Sequence, residues 1–324
     1  MASAVKWGIV STADINRKVI PGMHESTKAD LVAVASRDLA RAEAYARKWE
    51  IPRAYGSYEE LLADPEIEAV YISLPNTLHC EWSVRALDAG KHVLCEKPLT
   101  RHPKEAKAAF DAADRAGRIL SEAFMYQHNP QTKRLQQLVG EGAIGELRLI
   151  RSAFSYSLYD QDNIRLRTDL EGGALMDVGC YNVSSSRLLG GEPEKVYGEA
   201  WFGPTRTDWV FTGTLRFPGD VIATFDCGTA LPERDELEAI GSEGSLFLDD
   251  PWHCEVPVIE LRKDGNVERI ELELADSYRL EVENVSDAIR GEAEPLLGRE
   301  DGVAQARALK ALYKSATSGK PASL

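Results

Sequence analysis

Long apolar runs are missing from this chain. No stretch of about 18 apolar residues occurs in its 324 residues, which excludes a membrane-spanning helix. The first residues carry no apolar signal core, so a cytoplasmic location is expected. Basic charge is scarce: 38 Lys and Arg stand against 52 Asp and Glu, a formal net charge of −14. That argues against a nucleic-acid backbone as partner, because phosphate chains need clustered Lys and Arg. A locally basic pocket for one small phosphate is still compatible with it. Cysteines number five, an odd count at wide spacing (Cys80, Cys95, Cys180, Cys227, Cys254), so no disulfide framework is expected. C-x-x-C and H-x-x-x-H pairs are lacking, so no metal site is expected. His253-Cys254 reads as a structural strand end.

Glycine is missing where it would be most informative. The apolar run Val5–Val10 enters a turn in "WGIVSTADIN", where a dinucleotide-binding G-x-G-x-x-G would place three glycines. Those positions hold Ser11, Ala13 and Asn16. Ser and Ala are the next smallest residues and serve if the backbone stays at negative φ. Ser11 and Thr12 then add hydroxyl donors for phosphate at a helix N-terminus, which Ile15 and Asn16 would open. A plain strand-to-helix connection is the alternative.

What is present is a regular alternation. Apolar strands Val5–Val10, Leu31–Ala35, Ala69–Leu74, His92–Cys95 and Ile119–Ala123 are separated by helices. Asp38 and Ser57 read as helix caps, Pro103 as a helix start and Gly117 as its stop. Continuous apolar strands between helices imply a parallel sheet covered on both faces. After Ala123 the pattern changes. A helix over Gln131–Val139 precedes strand-like runs Leu147–Tyr156, Lys195–Trp201, Trp209–Phe217 and Val221–Cys227. A helix near Ala174–Leu189 interrupts them, and "KDGN" at 263–266 marks a hairpin. Helices Arg279–Arg290 and Gly302–Ser315 close the chain. The expected fold is an α/β Rossmann domain (1–123) plus an α+β domain with an open, mostly antiparallel sheet (124–324). The C-terminal helix is expected to pack back on the first domain. The strands Trp209–Phe217 and Val221–Cys227 carry apolar residues at both parities, as two covered faces require; a homodimer or homotetramer through this sheet follows as an expectation.

At the end of the second strand stand Ala35-Ser36-Arg37, where an NAD-preferring enzyme places a carboxylate for the ribose 2′-hydroxyl. Ser36 can donate to a 2′-phosphate and Arg37 can offer a planar fork, so NADP is favoured over NAD. A solvated strand-end arginine is the bland alternative.

Further stretches carry a family resemblance: "SLPNTLH" at 73–79, "GKHVLCEKP" at 90–98 and "EGGALMDVGCY" at 171–181. With the turn and "VASR", they resemble the glucose–fructose oxidoreductase / inositol dehydrogenase / MocA family over essentially the whole chain. The resemblance implies a nicotinamide cofactor, an active site between the two domains and oxidation of a sugar or cyclitol hydroxyl. It matches Lys97 to the catalytic lysine, Glu96 to its neighbour, Pro98 to a proline often in a cis bond, and Asp177 and Tyr181 to the second-domain pair. Leu74, Pro75, Asn76, His79, Glu96 and Lys97 would border the cofactor. Many members carry His at the Tyr181 position; Tyr resembles the aldose (xylose) 1-dehydrogenase and dimeric dihydrodiol dehydrogenase branches. Chemically, dehydrogenation needs a base and a donor for the developing alkoxide. Asp177 and Tyr181, four apart, would share a helical face, with Asp177 closer to Lys97 or a substrate hydroxyl than to Tyr181. Taken without the motif, Tyr181 reads as packing and Asp177 as a surface charge. His79 reads equally as a cofactor contact or a satisfied structural histidine. Phe154, Tyr156, Tyr159 and Arg165 are candidates to touch a sugar, with sheet packing as the alternative for the first two; Tyr126 and His128 are candidates to border the nicotinamide. The expected activity is an NADP(H)-dependent aldose 1-dehydrogenase. A dihydrodiol dehydrogenase, a keto-sugar reductase and a non-catalytic NADP-binding regulator are the alternatives.

Overall fold

The computed structural model describes residues 3–158, 160 and 162–324. It divides into two compact units, Met1–His128 with Asp276–Val303, and Asn129–Ala275 with Ala304–Leu324.

The first unit opens with β1 (Val5–Val10), α1 (Asn16–Glu25), β2 (Ala29–Ala35), α2 (Leu39–Lys48), β3 (Arg53–Tyr55) and α3 (Tyr58–Ala63). It continues with β4 (Ala69–Ile72), α4 (His79–Asp88), β5 (His92–Glu96), α5 (Pro103–Ala116) and β6 (Leu120–Ala123). All strands pair in parallel, in the order β3-β2-β1-β4-β5-β6. Local chemistry sets the helix ends. Asp38 accepts from the Arg41 N–H and Ser57 from the Glu60 N–H, while Gly117 closes α5 in the left-handed conformation at φ 60°.

The second unit holds α6 (Pro130–Gly140), β7 (Leu147–Ser157), α7 (Cys180–Gly190), β8 (Lys195–Phe202), β9 (Asp208–Arg216) and β10 (Ile222–Gly228). Then come β11 (Ala230–Gly241), β12 (Ser245–Asp249), β13 (Val258–Lys263) and β14 (Asn266–Glu271). The next helix, α8 (Ser277–Arg290), belongs to the first unit. The chain ends with α9 (Arg299–Ser318) and β15 (Ala322–Ser323), which joins β8. The nine-stranded sheet runs β14-β13-β12-β11-β7-β10-β9-β8-β15 and is antiparallel apart from the β7–β10 pair. Among the described residues no helix is long and apolar enough to cross a membrane, and none of the five cysteines is in a disulfide.

α8 is tied firmly to the first sheet. Val282 and Val285 enter the core with Trp7, Ile9, Val34, Tyr71 and Leu94, and the Trp7 indole donates to Ser286 Oγ at 3.1 Å. The approach of α1 to α8 requires Gly22: a Cβ there would lie 2.9 Å from the Arg279 nitrogen.

The second sheet qualifies one expectation. The fully buried apolar side chains of β9 and β10 share one parity: Phe211 and Leu215, with Ala223, Phe225 and Cys227. The other parity carries two half-buried apolar residues, Val210 and Ile222, and is otherwise polar, with Thr212, Thr214 and Arg216 on β9 and Thr224 and Asp226 on β10. The reason is that α7 covers one face, with Asn182 Nδ2 donating to Ser152 Oγ on β7 at 2.9 Å. On the other face Glu238 lies 3.6 Å from Arg151 and 3.4 Å from Arg262. By register, Tyr197 and Trp201 of β8 stand on this polar face, and both are exposed.

Candidate active site

The first unit brings its candidate residues to the carboxyl ends of its strands. The strand order reverses direction between β1 and β4, the position at which open α/β sheets bind ligands. Here the expectation of negative φ fails at Ser11, whose φ is 124°. A non-glycine residue there costs about 1–3 kcal/mol and persists only when its surroundings over-determine it. They do. Ser11 Oγ lies 2.8 Å from Ser73 Oγ and 3.0 Å from Ser73 O, and accepts the Ala13 N–H at 3.1 Å. Ser73 Oγ donates to Asn16 Oδ1 at 2.6 Å, and Asn16 Nδ2 returns a bond to Ser11 O at 3.1 Å. Since Ser73 gives its proton to Asn16, the Ser11 proton goes to Ser73. The Ser11 hydroxyl and the Asn16 amide, expected at the phosphate, are thus bound within the protein and hold the turn. Thr12, Ala13 and Ile15 remain partly exposed on it. A turn without glycine therefore still takes a glycine-like conformation, which fits the close approach of a pyrophosphate.

After β2, Ser36 is buried and accepts the Asp38 N–H at 3.4 Å, while Arg37 is exposed. Burial raises the Tyr58 phenol above its usual range, opposed by two nearby cations, Arg37 and Arg41. Arg41 escaped the sequence reading. Its spacing of four from Arg37, in the first turn of α2, was the available signal.

Leu74 is buried, and Pro75 and Asn76 are half-buried. His79 is 1% exposed, with Nδ1 2.8 Å from Pro98 O and Nε2 2.7 Å from Leu74 O. Its pKa is held below the ordinary histidine value, chiefly by burial and also by Lys97, with the two carbonyls opposing. This placement favours the structural reading: the ring lies between the 74 and 98 corners and, as a neutral imidazole, donates to one of the two carbonyls at a time. Lys97 is half-buried and its bond to Pro98 is cis. Glu96 is buried; the Tyr71 hydroxyl donates to its Oε1 and the Lys97 N–H to its Oε2 at 3.2 Å. Tyr126 and His128 are buried in the turn 125–128.

In the second unit, Tyr181 is 6% exposed. Its ring meets Phe154 edge-on at 5.4 Å and Trp252 at 5.9 Å. Residues Leu175–Gly179 form a π-helical turn before α7, so the four-residue spacing of Asp177 and Tyr181 does not follow α-helical geometry. The Asp177 carboxylate accepts from the Tyr156 hydroxyl at 2.5 Å and from Arg165 Nε at 3.1 Å. Burial first, then Asp177, pushes the Tyr156 phenol far above its usual range. Phe154 packs among aromatic rings, and Tyr159 lies outside the described residues. His253, also at the Phe154 edge, lies 2.7 Å from Asp235 and 3.3 Å from Asp250. Those carboxylates raise it to about 10, while burial raises Asp235 to about 6. The three groups could hold a cation by spacing, but Asp250 already accepts the N–H groups of His253, Glu255 and Val256.

Comparison with known proteins agrees with this arrangement. Residues 5–124 match the family model of the Gfo/Idh/MocA oxidoreductases, NAD-binding Rossmann fold, and residues 132–247 match the Gfo/Idh/MocA C-terminal domain. The chain is 40% identical over 321 residues to D-xylose 1-dehydrogenase (NADP(+)) 2 of Haloferax volcanii, covering 97% of this chain and 98% of that one. It is 34% identical over 260 residues to human trans-1,2-dihydrobenzene-1,2-diol dehydrogenase, covering 79% and 78%. A solved 3-ketoreductase, KijD10 of Actinomadura kijaniata in complex with NADP and TDP-benzene, superposes with a TM-score of 0.91 at 29% identity, covering 97% and 98%. With these likenesses spanning both units, the chain belongs to the Gfo/Idh/MocA family and is an NAD(P)-dependent oxidoreductase acting on CH–OH groups.

Proposed function

We propose that the protein is an NADP(H)-dependent aldose 1-dehydrogenase of the xylose or glucose type, yielding a lactone. The observation that carries this reading is the wall in the second unit. Tyr181 is set on Phe154 and Trp252, and Asp177 is already bonded to Tyr156 and Arg165. A fixed array of hydroxyl, carboxylate and guanidinium groups against aromatic rings suits a polyhydroxylated ring. The 40% identity to a D-xylose 1-dehydrogenase over nearly the whole chain supports the same substrate class.

The bound cofactor supplies one thing, a hydride acceptor at its nicotinamide ring. Tyr181 takes the hydroxyl proton of the substrate, and the Lys97 ammonium stabilises the oxygen as charge develops on it. Asp177, with its charge engaged by Arg165, orients a substrate hydroxyl. The reading is tested by following the reduced-nicotinamide absorbance with a panel of aldoses; no turnover with any pentose or hexose would overturn it. Reduction of a keto-sugar is the second reading, favoured by the likeness to the 3-ketoreductase. Oxidation of NADPH by a keto-sugar, with aldoses inert, would select it.

NADP preference rests on Ser36 and Arg37 standing where a carboxylate would repel a 2′-phosphate, with Arg41 close by. Arg37→Ala is expected to weaken NADP binding about tenfold, as loss of a charge-assisted contact does. NAD binding should hardly change. Calorimetry showing equal losses for both would make Arg37 structural.

Association of copies is proposed through the polar face of the second sheet, where Trp201 is 56% and Tyr197 39% exposed. Light scattering at micromolar concentration should give a multiple of the 35.8 kDa chain mass. The monomer mass would refute this.

A further inference from the structure

We propose that Asp208 is a positioning residue: it holds the π turn that carries Asp177 and leads into Tyr181, and so sets where those two side chains stand. The effect on turnover rests on the function proposed above; the hold on the turn does not.

The π turn Leu175–Gly179 lies immediately before α7. Such turns are rare and recur at functional sites, so what holds this one bears on the residues it presents. Its first residue is anchored from outside the helix. The Leu175 N–H donates to Asp208 Oδ2 at 2.7 Å, and the Tyr313 hydroxyl donates to Asp208 Oδ1 at 2.8 Å. Asp208 opens β9 and is 1% exposed, and Tyr313 comes from α9. A buried carboxylate is costly without donors, and here each oxygen has one. The carboxylate thereby ties together the start of the π turn, the start of β9 and α9, all within the second unit.

The backbone makes room for this contact. Gly173 has φ 130°, and a Cβ there would overlap the Asp208 carboxylate. The Gly173 carbonyl also accepts the Asp177 N–H at 2.9 Å, so the residue that admits Asp208 bonds the backbone of Asp177. The far end of the turn is held from α9 as well. Gln305, 2% exposed, donates from Nε2 to the Cys180 carbonyl at 2.8 Å, one residue before Tyr181. Its Oε1 accepts from Arg187 at 3.0 Å, which fixes which way the amide faces. Segment 175–180 is therefore bracketed by two holds, with Asp208 at its start. A displacement of about 1 Å at a reacting group can cost about 10²-fold in rate, so a loosened turn should show in kcat.

The test compares wild type, Asp208→Asn and Asp208→Ala as full chains, by amide hydrogen exchange and by steady-state kinetics below the unfolding midpoint of each. Asn keeps an oxygen for the Leu175 N–H, and its amide can donate to the Tyr313 oxygen, so both bonds survive. It should exchange like wild type over 174–181 and retain at least about a third of kcat. Ala leaves the Leu175 N–H without this acceptor. Exchange over 174–181 should then quicken about tenfold or more, with β13 and β14 unchanged. Its kcat should fall about tenfold or more, with NADP affinity kept within about threefold. Unchanged exchange over 174–181 in Asp208→Ala would overturn the hold on the turn, as would faster exchange spread evenly over the unit. Full kcat in folded Asp208→Ala would overturn the positioning role, as would equal losses in Asn and Ala. If Ala does not fold, Tyr313→Phe takes its place, because the ring keeps its edge contact to Phe211 at 5.8 Å and loses the bond to Asp208. Exchange over 174–181 should then quicken about threefold or more with kcat lowered; no change in either would overturn the proposal. Kinetics use an aldose or, if aldoses are inert, a keto-sugar with NADPH. Inactivity of wild type toward both would fail the reading of function alone, because exchange needs no substrate.

Discussion

Lys97→Met should lower kcat by about 10²-fold or more, the usual loss when a positioned charge or proton-transfer partner is removed. NADP affinity should stay within about threefold, because the corner that carries Lys97 is built by other groups. Its own N–H is held by Glu96 at 3.2 Å, Pro98 O faces His79 at 2.8 Å and the Leu99 N–H meets Glu122 at 2.7 Å. None of these bonds uses the ammonium, so Met should leave the backbone in place. Lys97 is only half-buried, so a thioether of similar length also costs little stability. Stopped-flow or steady-state rates, paired with a fluorescence titration of NADPH, separate the two effects. Activity above a tenth of wild type would remove Lys97 from the chemistry. Loss of NADP binding in step with kcat would make it a cofactor ligand.

The first sheet was legible because a buried parallel strand announces itself. "WGIV", "LVAVA" and "AVYI" are continuous apolar runs each followed by a serine, and Asp38, Ser57 and Gly117 mark helix ends with short-range chemistry. The conformation of Ser11 was not legible. Its left-handed φ depends on Ser73, 62 residues away, and on an asparagine whose partners cannot be read from spacing. The same holds for the second unit. Arg165, Tyr156 and Asp177 are 12 and 21 residues apart along a strand, a loop and a π turn, and only the fold joins them. β11 gave no signal because "PERDELE" is dominated by charged residues; its inward residues Leu237 and Ala239 are buried because β7 and β12 flank it. The amphipathic pattern of α8 was visible, but a hydrophobic face does not say which sheet it covers.

Tyr181→Phe isolates the hydroxyl that the reaction needs. The phenyl ring can keep the edge contact to Phe154 and the tilted contact to Trp252, so folding should be preserved. If Tyr181 is the acid/base, kcat should fall by about 10²–10⁴-fold with KM little changed, because the hydroxyl acts mainly in the transition state. Tyr156 cannot take over. Its hydroxyl donates to Asp177, and burial with that carboxylate raises its phenol far above the usual range. Tyr156→Phe should therefore leave the shape of the pH–rate profile unchanged, whereas Tyr181→Phe should erase its basic limb. Tyr181→His should recover part of the rate and move that limb toward acid, since free imidazole titrates near 6.5 and free phenol near 10. A tyrosine that only packs would give the opposite order: Phe would be tolerated, and His, polar beside the buried Trp252, would fail. If Tyr181→Phe keeps a normal rate and profile, the proton goes elsewhere. Asp177, partly exposed and bonded to Arg165, is then the group to replace next, with Asn as the neutral test.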